Sequence, residues 1–247
     1  MTGVQTCALR SPLTKKRSIR LPTRSISWVS KTLAVTRKDI VSEFRTRYAI
    51  NAIVMFALVT LTVISFAVGL LSPSKEILSA LFWVILFFAS MSGLAQAFIK
   101  EEETGTAMIL RLSCEGSIVF FGKMLFNFLL LLTLSILVVP LFIVFLKVVP
   151  TDWTLFIGVV LMGLIGLSGA TTIIAAIVSK ASVQGALFTV LSFPVLLPLL
   201  VAVIEITTVS FTGGTFADAS APLQLLVAYD VIMITLSSML FDFVWRL

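Results

Sequence analysis

The residues best suited to chemistry in this sequence are carboxylates, and they concentrate in one internal segment, residues 100–123. The segment opens with three consecutive glutamates: Glu101, Glu102 and Glu103. Gly105 follows and permits a sharp turn, and the pair Gly122 and Lys123 closes the segment. Negative charge, a turn and a short apolar run are features of a helix that docks in a partner's groove. A loop that only solvates two helix ends would have the same composition.

Asp230 is the second candidate, because an ionisable side chain within a long apolar stretch is costly in lipid and marks a functional site by default. It lies in the final apolar stretch, residues 223–245, and Tyr229 beside it could share a polar cluster. The sequence does not define the ends of this stretch. A second placement of Asp230, at the depth of the lipid headgroups, therefore stays open.

Other kinds of site lack the residues that they need. The chain contains no histidine and only two cysteines, Cys7 and Cys114, without a CxxC motif. This argues against a metal site, a disulfide framework and covalent haem attachment. There is no G-x-x-x-x-G-K-[ST] phosphate loop, so ATP would be bound by a partner chain. We predict no catalytic residue, metal or bound cofactor in this chain, and an intramembrane enzyme is disfavoured because it would need clustered polar groups.

The elements that must position these residues are long apolar helices. Hydrophobic residues make up 59% of the 247 residues and charged residues only 12%. Five uncharged stretches are long enough to cross roughly 30 Å of hydrocarbon: residues 49–74, 77–99, 124–146, 153–179 and 181–204. The stretch 223–245 is a sixth, interrupted by Asp230 and Asp242. We predict an all-α integral membrane protein with six transmembrane helices over residues 49–247.

Basic residues concentrate before the first span, where 11 of the 18 lysines and arginines lie. Residues 25–48 have the pattern of an amphipathic helix lying on the membrane surface, with Arg37 reaching to phosphate level. Its apolar residues share one face: Leu33, Ile40, Val41, Phe44 and Tyr48. A merely solvated helical lead-in is the alternative. Anionic lipid explains this basicity better than nucleic acid does.

The opening residues do not resemble a signal peptide, because they lack an apolar core and a cleavage site. The sequence TGVQTCAL is similar to the translation of a common sequencing-library adapter. We expect residues 1–24 to be an artefactual or disordered extension outside the fold.

Basic residues in the short connections predict the orientation of the spans. An arrangement with the N terminus inside places five of them in the cytosol: Lys100, Arg111, Lys123, Lys180 and Arg246. Only Lys75 and Lys147 then lie outside. We predict cytosolic termini in a bacterial inner membrane, with residues 207–222 as the largest external connection.

The segment 100–123 also carries a resemblance. Its pattern E-x-E-x-G-T-x-x-x-L-x-x-S, with the closing Gly-Lys, is similar to the signature that follows the second span of ABC-2-type permeases, in which Glu103, Gly105 and Leu110 stand at fixed positions. Cys114 departs from it, since many of these permeases carry proline there. Within that class, residues 30–247 resemble the cytochrome c maturation protein B family. The likeness rests on three further motifs: TRKDIVSEFRTR, PVLLPLLVAVIE and AYDVIMITLSSMLFDFVW.

This resemblance implies a dimeric permease subunit that binds a cytosolic ABC ATPase through residues 100–123. It also implies other haem-handling membrane proteins as partners and haem as the substrate of the complex. Two alternatives remain: an ABC-2 permease for another lipid-like or drug-like substrate, and a non-transporting scaffold that recruits an ATPase to a haem-ligation complex.

Overall fold

The computed structural model describes residues 28–68, 73–94, 115–179 and 184–246. These residues form seven helices: α1 (Trp28–Thr46), α2 (Tyr48–Val68), α3 (Lys75–Gly93), α4 (Gly116–Leu146), α5 (Trp153–Val178), α6 (Gln184–Thr212) and α7 (Phe216–Arg246). Helices α2 to α7 are each long and apolar enough to cross a membrane. This confirms the predicted all-helical protein with six spans.

Consecutive spans run in opposite directions, so the bundle has two ends. At one end Gly93, which closes α3, packs against Ile53 near the start of α2, and Asp242 near the end of α7 packs against Gly116. Helix α1 lies at this end, which we call the α1 end. At the opposite end the carbonyl of Phe211 accepts hydrogen bonds from Lys75 Nζ at 3.1 Å and from Thr151 Oγ1 at 3.0 Å. These two bonds tie α3 and the start of α5 to the last turn of α6.

Helix α5 lies at the centre, and small residues let its neighbours approach closely. The indole of Trp83 from α3 occupies the space that a Cβ on Gly163 would need. Its Nε1 donates a hydrogen bond of 2.8 Å to Thr207 Oγ1 on α6, and both side chains are fully buried. Gly163 therefore serves packing within the chain.

The largest external connection was wrongly predicted at residues 207–222. Helix α6 continues to Thr212 and α7 begins at Phe216, so only residues 213–215 connect them. The hydroxyls of Thr207 and Thr208 bond back to carbonyls four residues earlier, so a polar sequence remains compatible with helix. Gly213, with φ of +77°, supplies the turn.

The end of the segment 100–123 was also wrongly assigned to loop. Helix α4 begins at Gly116, eight residues before the predicted start of this span, and its early residues Val119 and Phe120 are fully buried. With 31 residues, α4 is about 46 Å long, whereas the hydrocarbon layer is about 30 Å thick. The helix is therefore about 16 Å longer than the hydrocarbon layer is thick.

Candidate functional site

Helix α1 is joined to the first span by a break of one residue. Helix α1 ends at Thr46 and α2 begins at Tyr48, while Arg47 between them has a φ of +53°. The Glu43 carboxylate accepts a hydrogen bond of 2.9 Å from the backbone N–H of Ile50. A carboxylate in this position satisfies a free donor in the first turn of α2 and interacts favourably with the helix dipole. The break and this bond fix the direction in which α1 leaves the bundle.

Helix α1 presents three faces. Its apolar face is exposed, with 52% of Leu33 and 66% of Phe44 accessible, as a lipid-facing surface requires. Three basic residues recur every seven positions on a second exposed face: Lys31, Lys38 and Arg45. The third face is buried against α4: Thr32, Val35, Thr36 and Asp39. The sequence indicated the apolar face but not this buried one.

Gly122 is the point at which α1 crosses α4. A Cβ at Gly122 would lie 2.8 Å from the side chain of Val35, so glycine permits the close approach. The hydroxyl of Thr36 donates a buried hydrogen bond of 2.9 Å to the carbonyl of Gly122. One end of the crossing is covered by an edge-on contact between Trp28 and Phe121, whose ring centroids lie 5.2 Å apart.

An ion pair lies beside this crossing. Lys123 Nζ is 3.4 Å from Asp39 Oδ2, and its side chain is fully buried. The other carboxylate oxygen of Asp39 lies 3.1 Å from Lys38 Nζ, whose side chain is 45% exposed. Asp39 thus joins a buried ammonium on α4 to a half-exposed one on α1. We call the contacts of Thr36, Asp39, Gly122 and Lys123 the α1–α4 clasp.

The structure therefore separates the residues predicted for docking. Gly122 and Lys123 belong to the clasp rather than to a loop. The remaining predicted residues lie outside the described ranges: Glu101, Glu102, Glu103, Gly105 and Leu110. Asp39 is the partner that sequence reasoning missed, because 84 positions separate it from Lys123 and no periodic pattern links them.

Asp230 lies near the middle of the 31 residues of α7 and only 7% of it is exposed. Its Oδ1 occupies the space that a Cβ on Gly166 of α5 would need. This atom has no hydrogen-bond partner among the described residues. Asp230 is therefore buried inside the bundle, against α5.

Tyr229 points to a different helix. Its hydroxyl donates a hydrogen bond of 2.9 Å to the carbonyl of Val195 on α6. Val195 lies between Pro194 and Pro198, and Pro198 has no N–H to donate to the carbonyl of Pro194. Tyr229 and Asp230 thus contact α6 and α5 respectively, close to an interrupted hydrogen-bond ladder.

One further polar contact lies within the spans. Asn127 Nδ2 of α4 donates a buried hydrogen bond of 2.9 Å to Thr172 Oγ1 of α5, whereas Asn127 Oδ1 has no partner among the described residues. The sequence had shown Asn127 only as an isolated polar residue. Over the described ranges, no group of three or more histidine, cysteine or acidic residues could hold a metal ion.

Comparison with known protein families identifies this chain's family. The model of the CcmB protein family matches residues 30–244, a range that contains the clasp, segment 100–123 and Asp230. No curated protein sequence matches the chain.

Proposed function

Because the chain belongs to the CcmB protein family, whose members are membrane components of haem export for cytochrome c maturation, we propose that it is the permease subunit of an ABC-type export complex. In this proposal a separate cytosolic subunit binds and hydrolyses ATP. The spans of the present chain rearrange in response. Haem is the proposed substrate of the complex, and the chain itself holds no cofactor.

The α1–α4 clasp is the observation that carries this proposal. Segment 100–123 follows α3 and includes the first turns of α4, which are held to α1 by a buried ion pair and a buried hydrogen bond. Force applied to the segment by a docked ATPase would therefore move α4 and α1 together. Because α1 leads directly into α2 through Arg47, the first span would follow.

Charge supports an orientation with the α1 end in the cytosol of a bacterial inner membrane. The described basic residues at this end include Lys31, Lys38, Arg45 and Lys123, whereas the opposite end carries Lys75 and Lys147. Short basic connections remain on the cytosolic side. Both chain termini would then be cytosolic, and the exposed basic face of α1 would lie beside anionic headgroups.

The proposed partners are the ATPase subunit, a second copy of this chain and other haem-handling membrane proteins. Apolar side chains cover the outward faces of α2 and α7, among them Phe66, Met239 and Phe243 with exposed fractions above 60%. Such faces suit contact with lipid and with neighbouring membrane helices equally. Transport of haem in reconstituted vesicles would distinguish a pump from a scaffold that only recruits the ATPase.

Substitutions in segment 100–123 test the docking role. Glu103→Lys should place like charges together at a basic ATPase surface, and Gly105→Val should distort the turn. Either change should lower recovery of the ATPase in co-purification about tenfold, equivalent to ~1.4 kcal/mol of binding free energy. Glu76→Lys, at the start of α3 and the opposite end of the bundle, is the matched charge reversal and should leave recovery unchanged.

Membrane fractions should contain all three variants at wild-type amounts, so that loss of recovery reports docking rather than folding. Wild-type recovery with both Glu103→Lys and Gly105→Val would contradict docking through this segment. The purified chain should also hydrolyse no ATP until the partner is added, and hydrolysis by the chain alone would contradict the division of roles.

A further inference from the structure

Asp230 has no cation near it in the helices that surround it. Helix α7 packs against α4, α5 and α6. Helix α5 carries no charged residue, α6 carries only Glu205, and α4 carries only Lys123, which pairs with Asp39. On α7 itself the neighbouring titratable group is Tyr229, whose hydroxyl bonds to α6. The described residues around Asp230 therefore offer an ionised carboxylate no counter-charge.

The position of Asp230 along the bundle also disfavours an ionised carboxylate. Lys123 lies seven residues into α4 from the α1 end, and Asp230 lies sixteen residues into α7 from the same end. At 1.5 Å per residue this difference corresponds to roughly 13 Å along the bundle. Asp230 is thus separated from the buried ammonium and lies near the midplane, where hydration is poorest. An unpaired ion in such surroundings costs several kcal/mol, and taking up a proton removes that cost.

We propose that Asp230 is a proton-binding site at the middle of the membrane, occupied by a proton while α7 rests on Gly166. The neutral carboxylic acid has one O–H to donate, and on the neighbouring helix α6 Pro198 leaves the carbonyl of Pro194 without its usual intrahelical donor. Separation of α7 from α5 would admit water and allow the proton to leave. The spans thereby gain a protonation step linked to their movement, which goes beyond the proposed export function and does not depend on the identity of the substrate.

Gly166 is the other half of this site. Any side chain at position 166 would displace the carboxyl group, because the Asp230 Oδ1 atom and the Leu199 side chain fill that space. Gly158, on the same helix, has nothing within 4 Å of the position of a Cβ. Gly166→Ala and Gly158→Ala are therefore a matched pair that differ in contact with Asp230.

Infrared spectroscopy of the full-length chain in lipid tests the proton directly. Wild-type protein at neutral pH should show the carbonyl stretching band of a protonated carboxyl group. Asp230→Asn should abolish this band and Asp242→Asn should retain it, while both variants insert normally, since asparagine is close in shape to a neutral aspartic acid. Loss of a carboxylate band instead of a carbonyl band in Asp230→Asn would show an ionised Asp230 and overturn the proposal.

Labelling with the lipid-soluble reagent dicyclohexylcarbodiimide, which reacts with protonated carboxyl groups, tests the link to Gly166. Mass spectrometry should locate the adduct at Asp230, with several-fold more adduct in Gly166→Ala than in Gly158→Ala or wild type. Equal labelling in the two glycine variants would overturn the role of Gly166.

Cytochrome c assembly should fall in Asp230→Asn and further in Asp230→Leu. Full assembly in both variants would show that the proton has no role in the transport cycle, whatever the infrared result.

Discussion

At the scale of single residues, glycine makes room for aspartate side chains in this protein. Both aspartates in the central and final turns of α7 pack on a glycine of another helix: Asp230 on Gly166 and Asp242 on Gly116. Gly122 likewise lets α1 approach closely enough for Asp39 to reach Lys123. Carboxylates are buried here because a neighbouring backbone without a side chain leaves space for them.

Removal of one charged partner from the α1–α4 clasp should destabilise the folded protein. Asp39→Ala takes a carboxylate away from a fully buried ammonium, which should lower the free energy of unfolding by about 3 kcal/mol. Lys38→Ala, which removes the half-exposed partner of the same carboxylate, should cost less than about 1 kcal/mol. Denaturant titration in detergent micelles measures both.

The double variant Asp39→Leu with Lys123→Met is the control for the single change. Replacing both buried charges by apolar groups of similar size should recover much of the lost stability. Equal effects of Asp39→Ala and Lys38→Ala would contradict a stabilising role for the buried pair.

At the scale of elements, the sequence predicted helices well and their ends poorly. The apolar face of α1 follows from its periodicity, but its buried face includes Thr32, Thr36 and Asp39, residue types that normally face water. The polar residues Thr207 and Thr208 favour a loop by composition. The hydrogen bonds from their hydroxyls to helix carbonyls, which make them compatible with a helix, cannot be read from composition. Asp230 was identified because a charge between apolar flanks is itself the signal.

Gly122→Val should separate α1 from α4. Valine has a higher helix propensity than glycine, so α4 itself should gain local stability, and any loss must come from the clash with Val35. Limited trypsin digestion of membranes should then cleave α1 at Lys31 or Lys38 several-fold faster than in wild type. Gly158→Val, with open space around its Cβ, is the matched control, and equal cleavage in the two variants would contradict the crossing.

At the scale of the whole molecule, six spans could be predicted because lipid leaves the backbone few alternatives to helix. Which spans are neighbours could not be predicted, because apolar helices of similar composition do not identify their partners. Trp83 with Gly163, and Lys75 with the carbonyl of Phe211, specify the arrangement only in three dimensions. The opposite end is tied by these bonds, so rearrangement of the bundle should be largest at the α1 end.

Deletion of residues 1–24 should leave insertion and ATPase recruitment unchanged, since the described contacts of α1 with α4 lie at Trp28 and beyond. Membrane fractionation and co-purification measure the two properties, with full-length chain as reference. Loss of membrane assembly, or recovery of the opening residues from the native transcript, would contradict the expectation that this segment is an extension.

The turn of three residues at 213–215 makes α6 and α7 a helical hairpin. We expect the two helices to enter the bilayer together as this hairpin. The hydrogen bond from Tyr229 to Val195 joins the two helices of that hairpin. Helix α6 can therefore cover one side of Tyr229 and Asp230 before Gly166 of α5 packs against Asp230. The most polar point of the last span thus crosses the membrane already half covered, which lowers the barrier to its biosynthesis.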